Sequence, residues 1–134
     1  MSILLDSSAW LAHLFGEPGV EQVNLLFDNA DNEVNISALS IPEVYGRLKA
    51  LGAEAHWEEV WERYILLFNK VLPADETVAL QAMRLRAATP HRLPTIDALI
   101  AATAVVHQLT LIHRDSHFVA IPSQSLAQTQ LPDK

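Results

Sequence analysis

Cysteine is missing from this chain altogether, which removes disulfide bridges and thiolate metal sites before any pattern is read. Long apolar runs are missing as well. None reaches the ~18 to 20 residues a helix needs to cross a bilayer, and no basic region precedes the short apolar stretch at the start, so neither a membrane helix nor a secretory signal is expected. The expectation is a cytoplasmic protein. Positive charge is scarce: nine Lys and Arg stand against sixteen Asp and Glu, for a formal net charge of −7. A field of that sign opposes nucleic-acid binding, so a phosphate-bearing substrate would require metal ions and a local basic patch. Internal repeats and low-complexity tracts are absent too. What remains is a chain of 134 residues, half of it apolar, which suits one domain over 1–134 with a real core.

Most informative is the stretch Leu93 to Phe118, LPTIDALIAATAVVHQLTLIHRDSHF. From Ile96 to Val106 only Asp97 and Thr103 break the apolar pattern, which predicts a helix buried on all sides. Thr95 is a candidate N-cap, and Asp97 then sits in the first turn, where the helix dipole favours negative charge. Leu109 to Ile112 is an apolar run suited to an interior strand, so Asp115 lies just past that strand's C-terminal end. Open α/β sheets place their chemistry there.

The rest of the chain alternates in the same way. Ile3-Leu4-Leu5 reads as a buried strand ending at Asp6-Ser7-Ser8, where Asp6 is either a helix cap or a site residue. A helix over Ser8 to Phe15 is stopped by Gly16-Glu17-Pro18-Gly19, a second covers Val20 to Asn29, and Val34 to Ser37 is a second strand. Ser40-Ile41-Pro42-Glu43 has the form of a capping box, which gives Glu43 a structural role to set against a functional one. Trp57, Trp61, Tyr64 and Phe68 recur at helical spacing opposite Glu54, Glu58, Glu59 and Glu62. This stripe favours core or helix packing over base stacking, which the acids would discourage. Lys70 to Leu72 is a third strand, and Asp75 caps a helix over Glu76 to Ala88. Arg84, Arg86, Arg92 and Arg114 gather near Asp97 and Asp115 in sequence, a possible phosphate path as well as ordinary solvated charge. The polar segment from about Ser123 to Lys134 has no clear period and is expected to be loosely ordered.

Alternating strands and helices predict a three-layer α/β/α sandwich with a mostly parallel sheet. In that fold Asp6, Glu43, Asp97 and Asp115 share one rim. Four carboxylates cannot all stay ionised side by side without cations. Oxygen-only ligands favour Mg²⁺ or Mn²⁺, and the chemistry implied is phosphodiester hydrolysis by an activated water.

The LLDSSAW opening, SIPEV at a helix start, PTIDALIAATA and LIHRDSHF, in this order, resemble the PIN domain, in particular the small ribonuclease toxins of VapBC toxin–antitoxin pairs. The resemblance runs from Leu4 to Phe118. It implies a Mg²⁺- or Mn²⁺-dependent endoribonuclease with Asp6, Glu43, Asp97 and Asp115 as metal-site and catalytic acids, and Ser7 or Ser8 positioning a metal-bound water. It also implies a homodimer, RNA as substrate, and a cognate antitoxin that covers the acidic rim. Two residues depart from the pattern: His113 stands where Thr or Ser is usual, and His117 where many relatives carry a further Asp. Either change would weaken a second metal site, leaving a catalytically impaired module that only binds its antitoxin or nucleic acid. His113 through His117 also admits an imidazole-rich transition-metal site. A haloacid-dehalogenase-like phosphatase is disfavoured because Ser8 stands where its second Asp belongs, and a receiver domain because Val71-Leu72-Pro73 offers no phospho-acceptor.

Overall fold

The computed structural model describes residues 1–133. Its centre is a five-stranded sheet of order β3-β2-β1-β4-β5, formed by β1 (Ser2–Leu5), β2 (Glu33–Ser37), β3 (Val71–Leu72), β4 (Thr110–His113) and β5 (Gln128–Gln130). Every pairing is parallel. The helices α1 (Ser7–Leu14), α2 (Val20–Asp28), α3 (Ser40–Ala50), α4 (Trp57–Ile65), α5 (Glu76–Ala88), α6 (Thr95–Val106) and the short α7 (Ser116–Val119) make the two outer layers. The three-layer sandwich predicted from the alternating pattern is therefore the fold.

Strand alternation divides the core. Leu4 and Leu111 pack with α5 and α6 residues such as Val78, Leu85, Ile100 and Ala101. Ile3, Leu5 and Ile112 point the other way, into a cluster with Trp10, Val44, Tyr64 and Phe68. On that second face the aromatic stripe of α4 closes over Trp10, whose ring lies 5.1 Å from Phe68, 5.4 Å from Tyr64 and 6.4 Å from both Trp57 and Trp61. The stripe is thus core. Helix α6 buries Ala98, Ile100, Ala101, Ala102, Thr103 and Ala104, and the Thr103 hydroxyl is satisfied by donating to the Leu99 carbonyl.

Three local expectations are corrected. Thr95 is the first residue of α6 and not its cap, a position taken by Pro94. Ser40 and Glu43 form no capping box: α3 starts from Leu39 with no side-chain cap, because both polar groups are drawn toward Ser7 of α1. The segment expected to be loose from about residue 123 is packed, apart from Lys134, which lies outside the described residues. Leu126 and Leu131 are buried, β5 pairs with β4, and the Leu131 amide donates to the His113 carbonyl at 2.7 Å. Leu131 also rests on Gly19, which has φ +101° and where a Cβ would come within 3.1 Å of the leucine. Glycine suits that turn on both counts.

The strand order locates the crevice. The chain moves from β1 outward through β2 to β3, then returns to β4 on the other side of β1. Connections therefore leave the C-terminal ends of β1 and β4 in opposite directions, and the gap between them is where such sheets bind ligands.

Candidate functional site

Asp6 leaves β1 and caps α1. Its Oδ2 accepts the Ser8 amide at 3.1 Å and the Ser8 hydroxyl at 2.5 Å, while the Asp6 amide donates to the Ile112 carbonyl of β4. The capping role and the site role coincide, because the same turn faces the crevice. Asp97 sits in the first turn of α6. Asp115 follows β4 and caps α7, accepting the His117 amide at 2.9 Å. Glu43 comes from the first turn of α3, its Oε1 2.7 Å from the Ser7 hydroxyl. These four acids, with Ser7, Ser8 and Arg47, line one open pocket of about 370 Å³.

The two serines hold the acids in place. Ser7 Oγ lies between Glu43 Oε1 and Ser40 Oγ, 2.8 Å away. A hydroxyl has one proton, which goes to the carboxylate as the stronger acceptor, so buried Ser40 donates to Ser7 in turn. Ser8 donates to Asp6 and accepts the Arg114 amide at 2.9 Å, which ties the turn after β1 to the end of β4.

Burial and crowding act together on the carboxyls. Asp6, 4% exposed, is pushed up to about 7, chiefly by burial and further by the charges of Glu43 and Asp97, against the opposing hydrogen bonds of Ser8. Asp97 is pushed up to about 6 by burial, then by the charges of Asp115 and Glu43, with His117 partly offsetting them. Asp6 and Asp97 are thus both raised by the charge of acids beside them, as the sequence pattern anticipates. Groups so arranged demand a compensating positive charge, and the donor set, mostly carboxylate oxygen, suits a hard divalent ion.

The two histidines part company. His117 enters the site, its Nδ1 3.0 Å from Asp97 Oδ2 and 3.1 Å from Asp115 Oδ1. His113 is fully buried and points away: Nδ1 accepts the Asp115 amide at 3.1 Å, so Nε2 carries the proton and donates to Gln128 Oε1 at 2.7 Å. Burial holds His113 below the usual imidazole range. With both nitrogens engaged it offers no lone pair to a metal, so the imidazole-rich reading of residues 113–117 loses His113.

The arginines scatter. Arg114 is turned back onto Glu17 (2.6 Å) and the Pro18 carbonyl, so it is a structural tie and not a free phosphate contact. Arg86 donates to the Leu93 carbonyl, Arg84 lies 3.5 Å from Gln81, and Arg92 is exposed. Arg47, absent from the predicted patch, lines the pocket instead. Its position one helical turn after Glu43 was the available signal.

Comparison with known proteins adds to this geometry. A family model described as the PIN domain matches residues 3–123. Among solved structures, the chain is similar to FitAcB from Neisseria gonorrhoeae (29% identity, TM-score 0.77, covering 97% of each chain). It is also similar to VapBC2 from Rickettsia felis, bound to a DNA fragment from the promoter of that system (16% identity, TM-score 0.79, covering 97% of this chain and 98% of that one). A toxin–antitoxin complex from Klebsiella pneumoniae resembles it too (25% identity, TM-score 0.68, covering 98% and 99%). No curated protein sequence matches the chain.

Proposed function

The chain belongs to the PIN domain family, whose members are in general nucleases, and from that premise we propose that it is a divalent-metal-dependent endoribonuclease and the toxin of a toxin–antitoxin pair. One observation carries the reading: Asp6, Glu43, Asp97 and Asp115 converge on one crevice at the switch point of the sheet, and two of them have carboxyls raised by burial and mutual repulsion. Mg²⁺ or Mn²⁺ is the cofactor that fits. Asp6, Asp97 and Asp115 would hold it, and once bound it lowers the pKa of a water for attack and stabilises charge developing on the phosphate.

The remaining work falls to the chain's own residues. Ser8 fixes the Asp6 carboxylate by two hydrogen bonds, and Ser7 fixes Glu43. Glu43 lies in the more open part of the crevice, suited to accept a proton from the attacking water. Arg47 at the rim would draw the phosphate backbone toward a protein whose overall charge repels it, and exposed Arg84, Arg86 and Arg92 would add positive charge elsewhere on the surface. RNA as substrate, a homodimeric state and a cytoplasmic location belong to the same proposal. No helix among the described residues is long and apolar enough to cross a membrane. The likeness to a chain of the Klebsiella pneumoniae toxin–antitoxin complex, over nearly the full length of both, supports a cognate antitoxin as partner.

The test is direct. Full-length protein freed of any partner is incubated with RNA and Mg²⁺ or Mn²⁺, and cleavage that stops on chelation is the expected result. Protein that still binds an antitoxin yet cuts no RNA with either ion would refute the enzyme reading.

A further inference from the structure

Three donor atoms at one end of the crevice belong to Asp97, Asp115 and His117, and all lie within 4.8 Å of one another. His117 Nδ1 stands between the two acids, at 3.0 and 3.1 Å. Its one proton satisfies one oxygen well, and in the other tautomer a lone pair would face two carboxylates. A cation set among the three donors relieves that conflict; Arg114 is committed to Glu17 and the nitrogens of His113 to Gln128 and the Asp115 amide. The two separations from His117 fit as well. Six ligands at ~2.1 Å around an ion stand about 3.0 Å apart along each octahedral edge.

Resting on the metal-dependent reading above, we infer that His117 is a direct nitrogen ligand of the divalent ion held by Asp97 and Asp115, and that it shifts the site from Mg²⁺ toward Mn²⁺ and later first-row ions. An all-oxygen site suits Mg²⁺, which dehydrates reluctantly and takes carboxylate and water. An imidazole favours transition ions, whose affinity for nitrogen is greater. His117 also exchanges a negative ligand for a neutral one, which lowers the charge attraction that Mg²⁺ depends on most.

The experiment uses the full chain without partner protein and Mn²⁺ alone as probe, in two measurements. Pulsed electron paramagnetic resonance of bound Mn²⁺ is expected to show coupling to a ligand nitrogen. His117→Ala and His117→Asp should abolish that coupling; the side chain is 52% exposed, so both variants keep the fold. Competition calorimetry should show the Mn²⁺-over-Mg²⁺ preference falling in both variants, because the nitrogen donor that favours the transition ion is gone. Bound Mn²⁺ without nitrogen coupling, coupling that survives both substitutions, or an unchanged preference would each overturn the assignment of His117 while leaving the metal-dependent reading in place. Failure of the chain to bind either ion would remove that reading and this inference together.

Discussion

Two regions that start on the same helix bury their side chains to opposite effect. Trp10, fully buried, is surrounded by aromatic rings of α4 and the following turn, and each contact adds dispersion and hydrophobic stabilisation. Asp6, four residues earlier and almost as deeply buried, gains two hydrogen bonds but loses its hydration among like charges, so its carboxyl rises to about 7. The aromatic hub holds the fold together. The acid crevice is maintained at the fold's expense, as expected where function requires charge in a place that folding alone would keep neutral.

Substitutions sharpen this contrast. Trp10→Ala should have the largest effect, a loss of about 3–5 kcal/mol of stability read by urea unfolding, because four aromatic neighbours cannot collapse into the space. A loss below ~1 kcal/mol would mean the hub is not the principal core. Asp97→Asn should cut RNA cleavage on the order of 10²–10³-fold with no loss of thermal stability, since it removes a proposed ligand and a repulsion together. Unfolding of this variant would instead make Asp97 a structural helix-start residue.

The pH dependence separates the regions more finely. Asp6 is raised from 3.8 to about 7, so the folded state holds its proton across that window while the unfolded chain has released it. Its contribution to stability is fully present below about 4 and is lost as pH rises toward 7. His13 and His113, lowered by burial, act in the opposite direction, their contribution being lost as pH falls below 6.5. The informative quantity is therefore the difference between wild type and Asp6→Asn in metal-free melts. The variant should gain relative stability between pH 5 and 8, on the order of a few kcal/mol, and added Mn²⁺ should narrow that gap by stabilising only the wild-type site. The smallest effect is reserved for Arg47→Ala, which should weaken RNA binding about uniformly across sequences and lower the salt dependence by about one phosphate contact. Unchanged salt dependence would remove Arg47 from the substrate path.

Much of the site was legible because its signals are local. Asp6 and Asp115 each follow a short apolar strand and cap the next helix, so a few neighbouring residues placed both on one rim. Where local signals were ambiguous, distant partners decided. Ser40 and Glu43 have the spacing of a capping box, yet Ser7, more than thirty residues earlier, takes both. Arg114 lies beside Asp115 in sequence but is held by Glu17. His113 and His117 looked alike, and Gln128 captured one while the crevice kept the other. The order of the last segment was hidden because Leu131, set among polar residues, buries itself against Gly19 from the start of the chain, and Leu126 joins a core cluster built mostly from earlier elements.

The sequence by itself determined the alternation of strand and helix, the parallel sheet and the four acids, because apolar periodicity and turn chemistry act over a few residues. Tertiary structure alone decided which serine orients which carboxylate, which histidine meets the acids and which arginine faces the crevice. Those outcomes depend on side chains brought within about 3 Å across tens of residues of chain, where hydrogen bonds and charge pairs form only once the backbone is folded.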